Sequence, residues 1–330
     1  MWPFSSSCQS KVRMVGKTVI ITGANTGIGK ETARDLYRRG ARVILACRNI
    51  EKANAAIEEL KNVPPSNSQR EQFKGKPGEL AVYKLDLCSF ASVRKCAALL
   101  SSTEDQIHVL INNAGVMMCP QQKTEDGYEL QFQSNHLGHF LFTLLLLPKI
   151  KASAPGCRII NVSSIAHTSG RMHFDDLNLD NSYTAFKAYV QSKLANVLFT
   201  KELTRKLKDS GIEGLTTYTL HPGVISTELG RHIGKSFIGA KFMLRIAKLF
   251  IKTPELGAQT TIHCAVDEAA GNDTGLYYKE CAVASPSSYA ENLADAEKLW
   301  DESLKMVQLP LKTNLSELLK AISEQAPPSQ

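Results

Sequence analysis

The sequence predicts a single α/β domain built on a doubly wound parallel sheet. Short runs of β-branched residues alternate with helical segments over most of the chain, and a Gly-rich turn joins the first run to the first helix. Successive strand–helix–strand units form right-handed crossovers, which place helices on both faces of one sheet. We expect this domain at residues 15–310, after an extension at 1–14 and before a partly disordered tail at 311–330.

The elements follow this alternation along the chain. Strands are predicted where short apolar runs occur, at 17–22, 42–47, 81–85, 108–111, 157–162, 215–220 and 275–278. Helices are predicted where the pattern has helical character, at 30–39, 51–61, 90–100, 128–147, 186–208 and 255–266. The Pro-, Ser- and Lys-rich stretch at 62–78 lacks apolar periodicity and is expected to be a flexible surface insertion. The tail is expected to begin as a short helix after Thr313 and to end in disorder at 325–330.

The composition is that of an ordinary globular protein, with 43% hydrophobic and 22% charged residues. Its net charge of +7 is dispersed and not interleaved with aromatic residues, which argues against nucleic-acid binding. The eight cysteines form no C-x-x-C pair and are expected to be reduced thiols of an intracellular protein. The longest apolar run, 140–148, is too short to cross a bilayer, and no signal peptide is evident. We therefore expect a protein that is cytoplasmic or peripherally associated with an internal membrane.

The Gly-rich turn at 22–29 is the first candidate binding site. It follows a predicted strand and opens a predicted helix, the setting in which glycines indicate a nucleotide site of the Rossmann type. Glycine lets the backbone approach a pyrophosphate, which the helix N-terminus attracts. A tight turn without a ligand is the alternative. The candidate contacts are Gly23, Asn25, Thr26, Gly27, Ile28 and Gly29.

The end of the second strand indicates which dinucleotide binds. Cys47 and Arg48 lie about 20 residues beyond the glycines, where a carboxylate would bind the ribose 2′-hydroxyl of NAD. Cys47 offers no carboxylate and the Arg48 guanidinium suits a 2′-phosphate, so NADP(H) is the expected cofactor. A solvated Arg48 is the alternative, and Lys30 either adds positive charge here or is itself solvated.

Tyr189 and Lys193 are the first candidate catalytic pair. They are four residues apart on a predicted helix and therefore share one face. A free tyrosine has a pKa of about 10, and a nearby cation favours the phenolate. We expect Lys193 to lower the pKa of Tyr189, which makes the phenol a proton donor or acceptor near neutral pH. By itself the spacing is more typical of a surface tyrosine and lysine on an amphipathic helix.

Seven motifs in order along the chain carry a family resemblance. They are Thr22-Gly-Ala-Asn-Thr-Gly-Ile-Gly29, Leu85-Asp86-Leu87, Asn112-Asn113-Ala114-Gly115, Asn135, Asn161-Val-Ser-Ser164, Tyr189-x-x-x-Lys193 and His221-Pro222-Gly223. With them the chain resembles the short-chain dehydrogenase/reductase family over nearly its whole length. Longer matches at 111–118, 134–140, 189–200 and 252–260 resemble the microsomal retinol dehydrogenase branch. Many members of that branch carry an N-terminal hydrophobic anchor that residues 1–14 do not show, so insertion into the endoplasmic reticulum is not expected.

The resemblance implies four catalytic roles. Tyr189 exchanges the proton on the substrate oxygen, while Lys193 lowers the tyrosine pKa and binds the nicotinamide ribose. Ser164 holds the carbonyl oxygen, with Ser163 as the alternative. Asn135 binds a water that relays protons to Lys193.

The resemblance also implies further cofactor contacts. Asp86 and Leu87 lie near the adenine, although Asp86 could instead cap the following helix. The others are Asn113, Ala114 and Gly115 near the adenosine, and Pro222, Gly223 and Thr227 near the nicotinamide.

The segment 234–253 contains no acidic residue. Its basic residues share one helical stripe and its apolar residues occupy much of the rest, which predicts a helical lid over a lipophilic substrate near 224–253 that also contacts an anionic membrane. A core-packed helix with a solvated basic edge is the alternative. The stripe consists of Lys241, Arg245, Lys248 and Lys252.

Together these patterns predict an NADP-dependent oxidoreductase that interconverts a lipophilic alcohol and its aldehyde or ketone, with retinal reduction as the expected case. Steroids, fatty aldehydes or xenobiotic carbonyls would fit the same residues. A non-catalytic nucleotide-binding regulatory protein is the rival from another class, and a homodimer is possible. No metal is expected, since no histidine pair has zinc-like spacing with a third ligand, and the Gly-x-Ser-x-Gly elbow of a hydrolase is absent from the sequence.

Overall fold

The computed structural model describes residues 6–66, 68–224, 252–311 and 314–325. An eight-stranded sheet runs through its centre in the order β3-β2-β1-β4-β5-β6-β7-β8. The first seven strands are parallel, and β8 pairs antiparallel with β7. The strands are β1 Thr18–Thr22, β2 Arg42–Cys47, β3 Glu79–Lys84, β4 Val109–Asn112, β5 Cys157–Val162, β6 Leu215–His221, β7 Leu276–Lys279 and β8 Ala282–Ala284.

Helices cover both faces of this sheet. One of them, α4, consists of a short α-helical turn at Leu130–Phe132, a π-helical turn at Gln133–Leu137 and an α-helix at Gly138–Ala152. The others are α1 Gly27–Arg38, α2 Ile50–Asn62, α3 Phe90–Thr103, α5 Ala185–Asp209, α6 Pro254–Val266, α7 Leu293–Met306 and α8 Leu315–Gln325. Short 3-10 helices lie at Glu71–Phe73, Ile165–Ser169, Ala270–Asn272 and Ser288–Glu291. The predicted α/β fold with a doubly wound sheet is thus confirmed.

The central strands are buried on both faces. Every residue of β1 and β4 is buried, as expected where crossover helices cover a parallel sheet. The apolar side chains form one cluster on each side of the sheet. This arrangement explains why those strands appear in the sequence as continuous apolar runs.

A strand and a helix among the described elements were not predicted, and one predicted helix has different bounds. Strand β8 has only three residues, two of them exposed, so it lacks an apolar signature. Helix α7 packs on α5, and its Trp300 ring lies 5.2 Å from the Phe140 ring, which makes it part of the core. The predicted helix 128–147 instead begins at Leu130, contains a π turn and continues through Pro148 to Ala152.

The two ends of the chain pack onto the domain. Helix α8 lies against α4 and buries Leu315, Leu318 and Ile322 in the core, although its sequence was assigned to the tail. In the N-terminal extension, the Arg13 guanidinium donates hydrogen bonds to main-chain carbonyls at Gln72, Lys74 and Lys76. The insertion predicted to be flexible is therefore held in place at these carbonyls, because a guanidinium distant in sequence supplies their partners.

Within the residues that the structure describes, no helix is both long and apolar enough to cross a membrane. The predicted lid falls almost entirely at 225–251, outside the described residues. At its end, Lys252 forms an ion pair with Glu280 and its main-chain N–H donates to the Val224 carbonyl at 2.8 Å. Lys252 lies in an isolated β-bridge, so its assignment to a helical stripe was wrong, and Glu280 neutralises its charge. The other three residues of the stripe lie outside the described residues.

Candidate active site

The carboxyl ends of the central strands open onto one cavity of about 620 Å³. Because every strand up to β7 runs in the same direction, the segments after β1, β2, β4, β5 and β6 meet at this edge. Of the predicted cofactor and catalytic residues, all line the cavity except Asn135, which is buried behind it, and Thr227, which lies outside the described residues. Those present are Gly23, Asn25, Thr26, Gly27, Ile28, Gly29, Arg48, Asp86, Leu87, Asn113, Ala114, Gly115, Ser164, Tyr189, Lys193, Pro222 and Gly223.

The Gly-rich turn has no room for a side chain where it packs against the loop after β4. A Cβ on Gly29 would lie 2.5 Å from the Asn113 amide nitrogen and 2.6 Å from the Gly23 carbonyl oxygen. Thr26 is the N-cap of the 12-residue helix α1, but its hydroxyl accepts no hydrogen bond from the first N–H groups of the helix. These N–H groups have no side-chain cap at Thr26. A backbone turn of this shape, open at a helix N-terminus, fits the pyrophosphate of a dinucleotide.

Cations line the cavity beyond β2. Arg48 is exposed and forms no ion pair within the described ranges. Lys52, in the first turn of α2, also lines the cavity and was not singled out in the sequence. Lys30 forms a surface ion pair with Glu59 at 2.8 Å and does not line the cavity. The positive charge at this end of the cavity therefore comes from Arg48 and Lys52.

The alternative role suggested for Asp86 is not seen. Ser89 is the N-cap of α3 and accepts from the Ser92 main-chain N–H, whereas Asp86 accepts from the Cys88 N–H at 3.0 Å. The Asp86 carboxylate stabilises the turn that leads into the helix and faces the cavity.

The two serines after β5 have different surroundings. The Ser163 hydroxyl is buried and donates to the Lys193 main-chain carbonyl at 2.7 Å. The Ser164 hydroxyl lies in the cavity, accepts from the Ala166 N–H at 3.2 Å and shares a hydrogen bond with the Tyr189 phenol. Of the two, Ser164 is the one placed to meet a substrate beside Tyr189.

The prediction that Lys193 lowers the pKa of Tyr189 is not what the structure shows. Burial raises the pKa of Tyr189, while the hydrogen bond to Ser164 lowers it by less. The Lys193 ammonium lies 5.9 Å from the centre of the Tyr189 ring, and burial lowers the pKa of Lys193 itself to about 8. The Tyr189 phenol therefore keeps its proton at neutral pH, because burial disfavours the phenolate.

Asn135 lies in the π turn of α4 and is fully buried, beside the cavity residue Gly115. Its amide accepts from the Val116 N–H at 2.8 Å and donates to the Val116 carbonyl and the Ser192 hydroxyl at 2.9 Å each. That Asn135 binds a water relaying protons to Lys193 stays a prediction. Its side-chain amide joins the loop after β4 to helix α5, which carries Tyr189.

Comparisons with known proteins identify the family. A model described as short chain dehydrogenase matches residues 17–236. Human retinol dehydrogenase 11 is 48% identical over 307 residues, covering 93% of this chain and 91% of that protein. Human retinol dehydrogenase 12 is 46% identical over 300 residues, covering 91% and 89%. The chain belongs to the short-chain dehydrogenase family.

Solved structures of other proteins have the same architecture as this short-chain dehydrogenase. An uncharacterised protein from Mycobacterium paratuberculosis matches with a TM-score of 0.71 at 32% identity, covering 92% of this chain and 98% of that one. The complex of Pseudomonas aeruginosa RhlG with NADP matches with a TM-score of 0.61 at 25% identity, covering 82% and 96%. The dehydrogenase is thus an oxidoreductase acting on CH–OH donors with an NAD(P) cofactor, in the branch that contains the retinol dehydrogenases.

The histidines of the dehydrogenase lie outside any metal cluster in the described part of the chain. Burial lowers the pKa of His136 to about 3 and of His139 to about 4, so both rings are neutral at physiological pH. His221 accepts from the Gly223 N–H at 3.0 Å and thereby shapes the turn at the cavity. These side chains act as neutral hydrogen-bonding groups.

Proposed function

We propose that this dehydrogenase is an NADP-dependent reductase that converts a lipophilic aldehyde or ketone to its alcohol, with retinal to retinol as the expected reaction. The observation that carries the proposal is the buried Tyr189 phenol, bonded to Ser164 inside the cavity, where burial raises its pKa. A protonated phenol is the form that reduction requires, since the carbonyl oxygen must gain a proton.

The cofactor part rests on the charge beside β2. Cys47 is buried, its thiol has a pKa raised to about 11 by burial, and its position directly after β2 offers no carboxylate to accept from a ribose 2′-hydroxyl. Arg48 and Lys52 supply two cations for a 2′-phosphate. When bound, the nicotinamide supplies the hydride that reduces the carbonyl carbon.

The chain's own residues orient the substrate and move its proton. The Ser164 hydroxyl binds the carbonyl oxygen, and the Tyr189 phenol donates the proton that this oxygen gains. Lys193 lies at the wall of the cavity, where a Cβ on Gly115 would be only 3.4 Å from its ammonium. There it binds the nicotinamide ribose and offers positive charge to the phenolate that proton transfer leaves.

The substrate class rests on the apolar mouth of the cavity. Ile165, Phe186 and Val224 line it and expose 43%, 52% and 55% of their surfaces, although large apolar side chains are usually buried. A hydrocarbon chain would cover this surface. The relatives at 46–48% identity are named retinol dehydrogenases, which supports a retinoid.

Other carbonyl substrates and a non-catalytic nucleotide-binding role are the alternatives to this proposal. Fatty aldehydes, steroids and xenobiotic carbonyls share the apolar character that the mouth selects. A non-catalytic nucleotide-binding protein would not need a tyrosine and a serine sharing a hydrogen bond in the cavity, and that bond favours the enzyme.

The test is turnover of retinal, a long-chain fatty aldehyde and a steroid ketone, each with NADPH and NADH. We expect retinal with NADPH to give the highest kcat/KM. Tyr189→Phe should lower kcat by about 10²–10⁴-fold and leave the NADPH Kd nearly unchanged, because it removes only the proton donor. Tyr183→Phe is the matched control, since that hydroxyl donates to the Cys119 carbonyl and does not line the cavity. Wild-type turnover by Tyr189→Phe would disprove the mechanism, and a preference for another carbonyl would replace retinal.

A further inference from the structure

His139 connects two parts of the active site that are far apart in sequence. It lies on α4, one turn after Asn135, with 2% of its surface exposed. Its Nδ1 atom lies 3.0 Å from the Asn135 main-chain oxygen, and its Nε2 atom lies 2.8 Å from the Thr22 hydroxyl. The ring therefore spans from the π turn to the end of β1.

The hydrogen bonds around Thr22 determine which ring nitrogen carries the proton. The Thr22 hydroxyl oxygen accepts from the N–H groups of Asn113 and Ala114 at 2.9 Å each, which uses both of its lone pairs. Its single proton is then donated to Nε2 at 2.8 Å, since the competing Ile111 carbonyl is 3.5 Å away. Nδ1 consequently carries the ring proton and donates it to the Asn135 carbonyl. Burial lowers the pKa of His139 to about 4, which keeps this neutral tautomer.

Each end of the ring leads to a different part of the site. On one side, Thr22 holds the Asn113–Ala114 turn, which lines the cofactor part of the cavity. On the other, the Asn135 side chain bonds to Ser192, whose hydroxyl donates to the Tyr189 main-chain carbonyl at 2.8 Å. No other histidine in the described ranges bridges these two parts.

We propose that His139 is a positioning residue for both halves of the active site. Its Nε2 atom orients the Thr22 hydroxyl that holds the cofactor-binding turn, and its Nδ1–H holds the main chain at Asn135, which keeps helix α5 and Tyr189 in place. The role depends on the fold and the nicotinamide cofactor, and is independent of which carbonyl compound is reduced.

Three substitutions of His139 distinguish the role of its Nδ1 atom from that of its Nε2 atom. His139→Asn keeps a donor near the position of Nδ1, His139→Gln keeps a polar group near Nε2, and His139→Phe keeps neither. We expect His139→Phe to weaken NADPH binding and to lower kcat by about tenfold each, the usual effect of losing one buried hydrogen bond at each end. His139→Gln should restore the Kd more than kcat, and His139→Asn should restore kcat more than the Kd.

The Thr22 bond is tested in its own right. Thr22→Val removes the hydroxyl and should raise the NADPH Kd by about tenfold, whereas Thr22→Ser should restore most of the affinity. In the His139→Phe background, the further effect of Thr22→Val should be smaller than in the wild type, because both changes weaken the hydrogen bonds that hold the Asn113–Ala114 turn. An unchanged Kd for Thr22→Val would overturn the proposal even if His139→Phe failed to fold.

The control is His136, which lies on the same helix α4 and is also buried, but bonds to Ser303 on α7, away from the cavity. His136→Phe should lower Tm without changing the Kd or kcat. If the His139 variants did the same, His139 would be a packing residue and the proposal would be wrong. NADPH and NADH are titrated separately. A failure of the NADP proposal would appear as a wild type that does not prefer NADPH, whereas a failure of the His139 proposal would appear only in the variants.

Discussion

Replacing Lys193 by methionine should stabilise the folded protein while it abolishes catalysis. Lys193 is 4% exposed, and burial lowers its pKa from 10.5 to about 8. At about 1.4 kcal/mol per pH unit, keeping this ammonium charged in the folded state costs about 3 kcal/mol at pH 7. The Val162 carbonyl that accepts from Lys193 also accepts from the Asn196 amide at 3.3 Å, so methionine leaves no unpaired acceptor there.

The pH dependence follows from the direction of the pKa change. Between pH 8 and about 10.4, the usual pKa of lysine, the unfolded wild type binds more protons than the folded one, so its stability rises with pH. The stability of the Lys193→Met variant does not depend on this titration. Its gain in free energy of unfolding over the wild type should be largest below pH 8 and should shrink as the pH approaches 10.

The assay is thermal unfolding without cofactor at pH 7 and pH 9.5. About 3 kcal/mol corresponds to a rise in Tm of about 5 °C at pH 7 for a chain of this size, and a smaller rise at pH 9.5. Lys208→Met, an exposed position on the same helix, should leave Tm unchanged at both pH values. A Tm below that of the wild type at pH 7, or a gain independent of pH, would refute the reasoning from burial.

Two further predictions concern the cofactor and the membrane. Replacing Cys47 by Asp and Arg48 by Gln should shift preference from NADPH toward NADH by about one to two decades in kcat/KM, since a carboxylate accepts from a 2′-hydroxyl and repels a 2′-phosphate; equal use of both cofactors by the wild type would remove the argument from Arg48. Co-sedimentation with anionic vesicles should decrease as salt rises, because each basic residue near the bilayer contributes about 1 kcal/mol. Binding should weaken further when glutamine replaces Lys241, Arg245 and Lys248, and identical binding by this variant would exclude these residues as a membrane contact.

Much of the site could be predicted because its parts are local motifs at strand ends. The glycines after β1, Arg48 after β2 and the Tyr189–Lys193 pair on α5 each have a recognisable spacing, and a parallel sheet brings strand ends to one edge. Lys52 could also have been predicted as a cavity cation, since it lies four residues after Arg48, in the first turn of α2. The central strands also agree closely with the predicted ones, because buried parallel strands need continuous apolar runs.

Contacts between residues that are distant in sequence could not be predicted from these local motifs. The pattern did not show that Asn135 would bond to Val116 and Ser192, that Lys252 would pair with Glu280, or that α7 would pack on α5. These contacts depend on where the chain places each residue after folding, and hydrogen-bonding capacity alone does not choose among many possible partners.

The sequence by itself determined the α/β fold, the dinucleotide cleft and the identity of the residues that meet in it. The tertiary structure alone decided the protonation states of the catalytic pair, through the raised pKa of Tyr189 and the lowered pKa of Lys193, and the hydrogen-bond partners of Ser163 and Ser164. The physical reason is that spacing along a helix or strand is a local property, whereas solvation is set by every segment packed around a side chain. Four residues on a helix bring the Lys193 ammonium to the same face as Tyr189, but the burial of both determines that the phenol keeps its proton.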